Sequence, residues 1–317
     1  MIDLCAAAAV LSMIAYAVLA GADFGGGVWD LLARGERREE HRAAIARAMG
    51  PVWEANHVWL IFVVVIFFSA FPTAWAAYTT ALAAPLRIML LGIVLRGVAF
   101  VFRAYGPHHG HAQERWGAIF GATSIVTPFV LGTCVGAISS PEMQWLSPIA
   151  LAMGAAFASL CPWLAAVFLT VETEGAVRED FRRRALIAGA IVIVGALVTL
   201  PLMRSLAPHL WSGLLGRALP IVIAGILCGA SALWLLLRRS FRLARLFAAM
   251  QVACVIVGWA IAQHPYLIYP DVTLASAAAP AATMRFLLWS LPFGLSIILP
   301  SFWYLFRVFK GDAARLT

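Results

Sequence analysis

Nine apolar stretches long enough to cross a bilayer as helices, which takes about 17–25 residues each, divide this chain. They fall at roughly 4–22, 53–72, 75–102, 117–138, 147–171, 185–205, 217–237, 243–264 and 284–309. In hydrocarbon, every backbone N–H and C=O must find its partner within the span, so runs like these fold as helices. The expected fold is an all-α polytopic membrane protein with nine transmembrane helices, forming one integral membrane domain over residues 1–317. The third, sixth and ninth runs have the softest edges. The longest gap, residues 30–52, reads as a charged loop or a short interfacial helix. With 63% of its residues apolar and 12% charged, the chain has too much apolar surface to face water. Asp3 is the only early charge, so residues 4–22 read as a retained span and not as a cleaved signal peptide.

The net charge of +8 raises nucleic acid as a partner, but the position of the charges argues for a membrane. All but one of the 23 basic residues are Arg, and nearly all lie between apolar runs. Eighteen fall on one side if the runs alternate. On the other side are only Arg204, Arg217 and Arg285, and Arg87 and Arg96 lie inside the third run. By the positive-inside rule the N-terminus is outside and the C-terminus cytoplasmic. Cys5, Cys134, Cys161, Cys228 and Cys254 all fall in apolar runs without CxxC spacing. They read as small packing residues, with no disulfide framework and no metal site.

The stretch from Gly50 to Ile61 places an acid, an amide and an imidazole at one membrane edge. On a helix, Asn56, Trp53, His57 and Glu54 fall within roughly 160° of one side. Ionisable groups in a span cost about 2.5–3.5 kcal/mol each, so they usually face protein or water. A plainer reading is a polar helix end dipping into the headgroup region. Asp23 lies about 28 Å along the first run from Leu4. Glu54 and Arg96 fall at similar depth if the second and third runs form a hairpin. Two carboxylates and an arginine therefore gather at the cytoplasmic side. Either they clamp the first three helices as an ion-pair network, or they relay protons; spacing alone leaves both open. Arg103, seven residues after Arg96, reads as snorkelling to phosphates or capping a helix end. Arg87 has no evident acidic partner.

Gly21-Ala22-Asp23-Phe24-Gly25-Gly26-Gly27 permits close helix contact or a break; it lacks the setting of a nucleotide fingerprint. His108, His109 and His111 read as a solvated cytoplasmic loop ahead of a metal site. His57 reads equally as a haem ligand or a hydrogen-bonded packing residue. Pro128, Pro162, Pro292 and Pro300 predict local kinks. No broken-helix site of the kind transporters place at the midplane is evident in the later runs.

Gly21-Ala22-Asp23-Phe24-Gly25, the run from Trp53 to Ile61, and Arg96-Gly97-Val98-Ala99-Phe100 with Arg103 resemble subunit II of the cytochrome bd quinol oxidases. Pro265-Tyr266 and Phe302-Trp303-Tyr304 match more loosely. The order and spacing carry the resemblance across nearly the whole chain. It implies two four-helix bundles plus one peripheral helix, in the bacterial cytoplasmic membrane. It also implies a partner, subunit I, that holds two b-type haems and one d-type haem, with no haem ligand or catalytic residue in this chain. Some members hold a structural quinone on subunit II, and a small single-helix subunit is a further partner. The complex oxidises quinol, reduces dioxygen to water and draws its protons from the cytoplasm without pumping.

Carried over residue by residue, the resemblance implies that Asp23 and Glu54 line the proton pathway. Arg96 and Arg103, with Asn56 and Trp53, form the structural and counter-charge group, and Trp59 marks a dioxygen route. Many relatives carry an acid where this chain has Val101, and a Gln or other polar residue where it has His57, which speaks against a haem-ligand role. Two other classes compete: a secondary transporter or proton channel acting alone, and a membrane assembly or scaffold protein.

Overall fold

A computed structural model of the chain describes residues 1–105 and 111–310. The side chains of residues 51, 54, 104, 105, 111, 112, 306 and 308–310 fall outside that description, as do His108 and His109. Eleven helices and one small hairpin make up the described fold, in the order α1 (Ile2–Leu31), α2 (Arg38–Ala70), α3 (Pro72–Ala81), α4 (Ala83–Tyr105), α5 (His111–Ile138), α6 (Pro148–Glu172), α7 (Gly175–Leu206), α8 (Pro208–Leu215), α9 (Leu219–Leu237), α10 (Phe241–Gln263), β1 (Tyr266–Ile268), β2 (Val272–Thr273) and α11 (Ala281–Lys310). Eight helices are long and apolar enough to span a membrane. The two halves of α2, bent by 47° between Gly50 and Ala55, make a ninth.

Helix starts follow proline chemistry, because the N–H that proline lacks is unpaired at a first turn anyway. Pro72, Pro148 and Pro208 each open a helix. Ser147 adds a side-chain cap to α6, accepting from the Ala150 N–H at 3.3 Å. The bend in α2 falls just after Pro51 in sequence, where the missing N–H removes one hydrogen bond of the helical ladder.

Three sequence boundaries move. The gap at 30–52 is helical from Arg38, an amphipathic extension continuous with the span that follows. The third run divides into α3 and α4 around Leu82. The sixth extends through Gly175–Leu206 and is followed by the short α8.

Helix α1 is central, packing against α2, α5 and α6, while α9 and α10 pair with each other and α11 leans on α2. The glycine run leaves α1 unbroken and lets its neighbours come close. A Cβ on Gly25 would fall 1.9 Å from the carbonyl oxygen of Cys161 on α6. One on Gly27 would fall 2.0 Å from Ser124 Oγ on α5.

Ion pairs near the helix ends gather the arginine-rich segments on one side. Arg37 pairs with Asp180, Arg103 with Asp30, and Arg245 with Glu172. On the opposite side, Trp259 Nε1 donates to Ser139 Oγ, and the hydroxyl of Tyr78 donates to the carbonyl of Leu267 in the hairpin. Large apolar side chains on the outer faces of α4, α7 and α11 stay exposed, among them Leu91, Leu197, Trp289 and Phe293. Such faces suit lipid or a partner helix.

A buried charge cluster and the family it belongs to

Three of the functional candidates, Asp23, Asn56 and Arg96, meet at the C-terminal half of α1. Asp23, Asn56 and Arg96 are each only 2% exposed. From α4, Arg96 reaches past α5 and grips Asp23 as a fork. Its Nη1 donates to Oδ2 at 2.6 Å, and its Nη2 donates to Oδ1 at 2.8 Å and to the Asp23 carbonyl at 2.9 Å. Its Nε donates to Ser124 Oγ at 2.9 Å, and that hydroxyl donates to the Phe120 carbonyl. The guanidinium lies over the rings of Phe24 and Phe120, at 5.0 and 4.6 Å from their centroids. Asn56 Nδ2 donates to Asp23 Oδ2 at 3.0 Å, which ties α2 into the pair. Planar bidentate contacts of this kind are the arrangement in which a buried ion pair recovers most of its desolvation cost.

A second rung lies one heptad along. Asp30, equally buried, accepts from Arg103 Nη2 at 2.9 Å and has Arg42 Nε 3.9 Å away. Asp23 and Asp30 are seven residues apart on α1, and so are Arg96 and Arg103 on α4. The two helices therefore run in the same direction with their charges in register. This corrects the reading of Arg103 as a phosphate snorkel or helix cap: its partner is a buried acid. Asp30 escaped the sequence reading because it falls in the 30–52 gap, which reads as a charged loop. The equal seven-residue spacings were the signal that could have found it.

Asn56 Oδ1, Asp30 Oδ2 and Thr127 Oγ1 are buried without a hydrogen-bond partner among the described residues. Trp53 stacks on Phe100 at 5.3 Å and meets His57 edge-on. His57 Nδ1 donates to the Trp53 carbonyl at 2.8 Å, fastening the ring to its own helix. Trp59 packs against Phe62 and Phe302, beside a cluster of Tyr16, Ala20, Phe24 and Cys161. Next to that cluster lies an apolar cavity of about 220 Å³ lined by Tyr16, Leu60, Val63 and Leu131 among others. The Glu54 side chain lies outside the described residues. Arg87 is exposed and has no acidic partner among them. Val101 is exposed on α4. No three His, Cys, Asp or Glu side chains gather as a metal site among the described residues.

Fold and cluster together define a polytopic helical membrane protein with paired charges held at one end of its central helix. Comparison with known proteins is more specific: the model of the family "Cytochrome bd terminal oxidase subunit II" matches residues 1–309, and the chain belongs to that family. It is 29% identical over 322 aligned positions to the putative cytochrome bd menaquinol oxidase subunit II of Bacillus subtilis (strain 168), covering 94% of this chain and 92% of that one. It is 24% identical to the cytochrome bd-I ubiquinol oxidase subunit 2 of Escherichia coli (strain K12), over 57% of this chain and 52% of that protein. The fold matches a chain in the structure of the bd oxidase from Geobacillus thermodenitrificans with a TM-score of 0.82, at 23% identity, covering 97% and 98% of the two chains.

Proposed function

We propose that this chain is the haem-free subunit II of a quinol:dioxygen oxidoreductase of the cytoplasmic membrane, with its N-terminus outside and its C-terminus in the cytoplasm. Two b haems and one d haem reside on subunit I, and a small single-helix subunit completes the assembly. Helices α1, α2, α4 and α5 form one four-helix bundle, and α6, α7, α9 and α10 the other, with α11 peripheral. Within the complex this chain supports proton uptake from the cytoplasm and dioxygen access. Asp23 and Glu54 line the proton pathway, and Asp30 joins them as its outermost acid.

The observation that carries the proton reading is the pair of rungs Asp23–Arg96 and Asp30–Arg103. They hold acids about 10 Å apart along α1. Asp30 Oδ2 and Asn56 Oδ1 remain as buried acceptors free of partners among the described residues. Arg96 holds Asp23 in place by its fork, and the partly exposed Arg103 and Arg42 keep Asp30 near water. For dioxygen, the support is the apolar cavity of about 220 Å³ beside the Trp59 cluster.

A structural quinone also fits this chain. Between α1, the outer end of α2, α10 and the hairpin lies a cavity of about 610 Å³. Val10, Ile14, Phe67 and Leu267 supply apolar walls, and Arg217, Gln263 and His264 supply polar groups. Gln263 Oε1 is buried without a partner among the described residues, so it can accept a hydrogen bond from the hydroxyl of the reduced, quinol form of such a ring. When bound there, a quinone supplies redox or structural capacity, while the chain's own residues only hold and orient it.

Co-purification tests the reading against a transporter or scaffold acting alone. Expressed by itself, the chain should show no haem absorption; expressed with a subunit I, it should yield a haem-bearing complex that oxidises quinol. Uptake of a solute or protons by the isolated chain in liposomes would overturn it.

A further inference from the structure

The arginine-rich side carries a second polar constellation that the oxidase reading does not use. After α1 the chain turns at Gly35, whose φ of 80° is left-handed, a conformation glycine adopts without strain. It then enters α2 and lies against the first turns of α7, ahead of that helix's apolar stretch. Arg37 Nε and Nη2 donate to Asp180 at 2.8 and 3.1 Å. His41 Nε2 lies 3.0 Å from Asp180 Oδ2, and Arg184 Nη2 lies 3.2 Å from His41 Nδ1. A guanidinium only donates, so His41 Nδ1 accepts and Nε2 carries the proton toward Asp180. The ring is therefore neutral, and burial together with the Arg184 charge holds its pKa below the ordinary value.

These groups, with Arg34, Glu36 and Arg183, line a cavity of about 440 Å³. Four guanidinium groups face two carboxylates there, and Asp180 is already engaged by Arg37 and His41. Arg34 has no ion-pair partner among the described residues, and Arg183 has only a 3.9 Å approach to Glu179. Arg184, stacked over Trp29 and Phe181, keeps its Nη1 buried with no acceptor among the described residues. The cavity thus has surplus positive charge and an orphaned donor, which planar guanidinium forks satisfy best on phosphate or carboxylate oxygens.

We propose that this cavity binds a phosphate group, supplied by the headgroup of an anionic phospholipid. The cavity sits directly beyond the end of the α1 span, at the level of an indole, where headgroups lie. Leu32, two residues before Arg34 in the chain, is exposed and offers an apolar surface to an acyl chain. A free phosphate ion has no use for that surface. Basic pockets between helices on the cytoplasmic side are a recurring way to hold anionic lipids.

The test uses the purified complex in detergent micelles doped with phosphatidylglycerol, with phosphatidylcholine, or with neither lipid but with inorganic phosphate added. Native mass spectrometry counts retained lipid, and thermal unfolding reads stabilisation. The unaltered complex should retain phosphatidylglycerol over phosphatidylcholine. The double variant Arg34→Ala, Arg183→Ala leaves the Arg37–Asp180–His41 contacts intact. It should weaken phosphatidylglycerol binding roughly 25-fold, about fivefold for each arginine near an anionic lipid. Arg242→Ala, on the same side but outside the cavity, should leave it unchanged. Equal retention of the two lipids by the unaltered complex overturns the proposal without reliance on any variant. So does full retention of phosphatidylglycerol by the double variant, or an equal loss in Arg242→Ala. If inorganic phosphate stabilises the complex while phosphatidylglycerol does not, the phosphate source is a soluble ion and the lipid assignment fails.

Discussion

Arg96 serves Asp23, Ser124 and two aromatic faces at once, so its loss strands a buried carboxylate. Removing one partner of such a pair costs about 3–5 kcal/mol, and Arg96→Ala should sharply reduce the yield of haem-loaded complex. Arg103→Ala should cost less, because the Arg103 side chain is 21% exposed and water screens what remains. Combining Arg96→Ala with Asp23→Asn should recover part of the loss, since both changes remove one shared interaction. Strictly additive losses in yield would show that the two residues are not coupled. Glu54→Gln and Asp30→Asn test proton uptake more directly. Each keeps the shape of its acid and one acceptor oxygen but cannot carry a proton, so quinol oxidase turnover should fall while haem spectrum and yield stay normal. Spectra that collapse along with activity would make these residues structural. At this scale the sequence was partly legible. Asp23 at the edge of the first apolar run and Arg96 inside the third stood out, and the bulk of the cost argument could be made from them alone. Asp30 did not, because it falls in the 30–52 gap, where charges read as part of a loop. The Asp23–Arg96 fork was hidden for another reason: depth estimates align residues along the membrane normal but say nothing about which helices face each other.

Among the elements, α1 is the one whose glycines can be tested as packing devices. Gly25→Ala puts a methyl into the Cys161 carbonyl 1.9 Å away, a backbone atom that moves only if α6 moves. Overpacking typically costs about 1–3 kcal/mol, and this clash with backbone should lie at the upper end, read as a lower melting temperature of the complex. Gly117→Ala, in the interior of α5 with nothing within 4 Å of the new methyl, should be neutral or gain up to about 1 kcal/mol from helix propensity. A similar loss at both sites would mean that close approach of α1 and α6 is not what Gly25 provides. The existence of these helices was readable from hydropathy. Their ends were not. Residues 38–50 are too charged to register as part of a span, yet they continue α2 because their apolar side chains, Ile45 and Met49 among them, find a buried surface formed with Leu169 and Phe181. That surface exists only once the chain has folded.

For the whole molecule, the arginine count and the ion pairs near the helix ends agree on which segments share a side, and they make a topology prediction. Single cysteines introduced at Glu36 and Arg183 should react with a membrane-impermeant thiol reagent only from the cytoplasm, and one at Glu142 only from outside. Reversed labelling of any one position would overturn the orientation or the number of spans. The five native cysteines are buried or half-buried, so background labelling should be low. The global arrangement was the most legible level, because alternation of charge and apolar length is a property of the chain as a whole. The paired rungs have one more consequence, for how α1 and α4 find each other after insertion. Acids and arginines share a seven-residue period, so sliding α4 by one turn leaves every charge opposite hydrocarbon, while sliding it by two brings Arg96 to Asp30 and abandons Asp23 and Arg103. Intermediate alignments therefore have no resting place. The rungs act as a vernier, and of the positions it permits only one closes on both teeth.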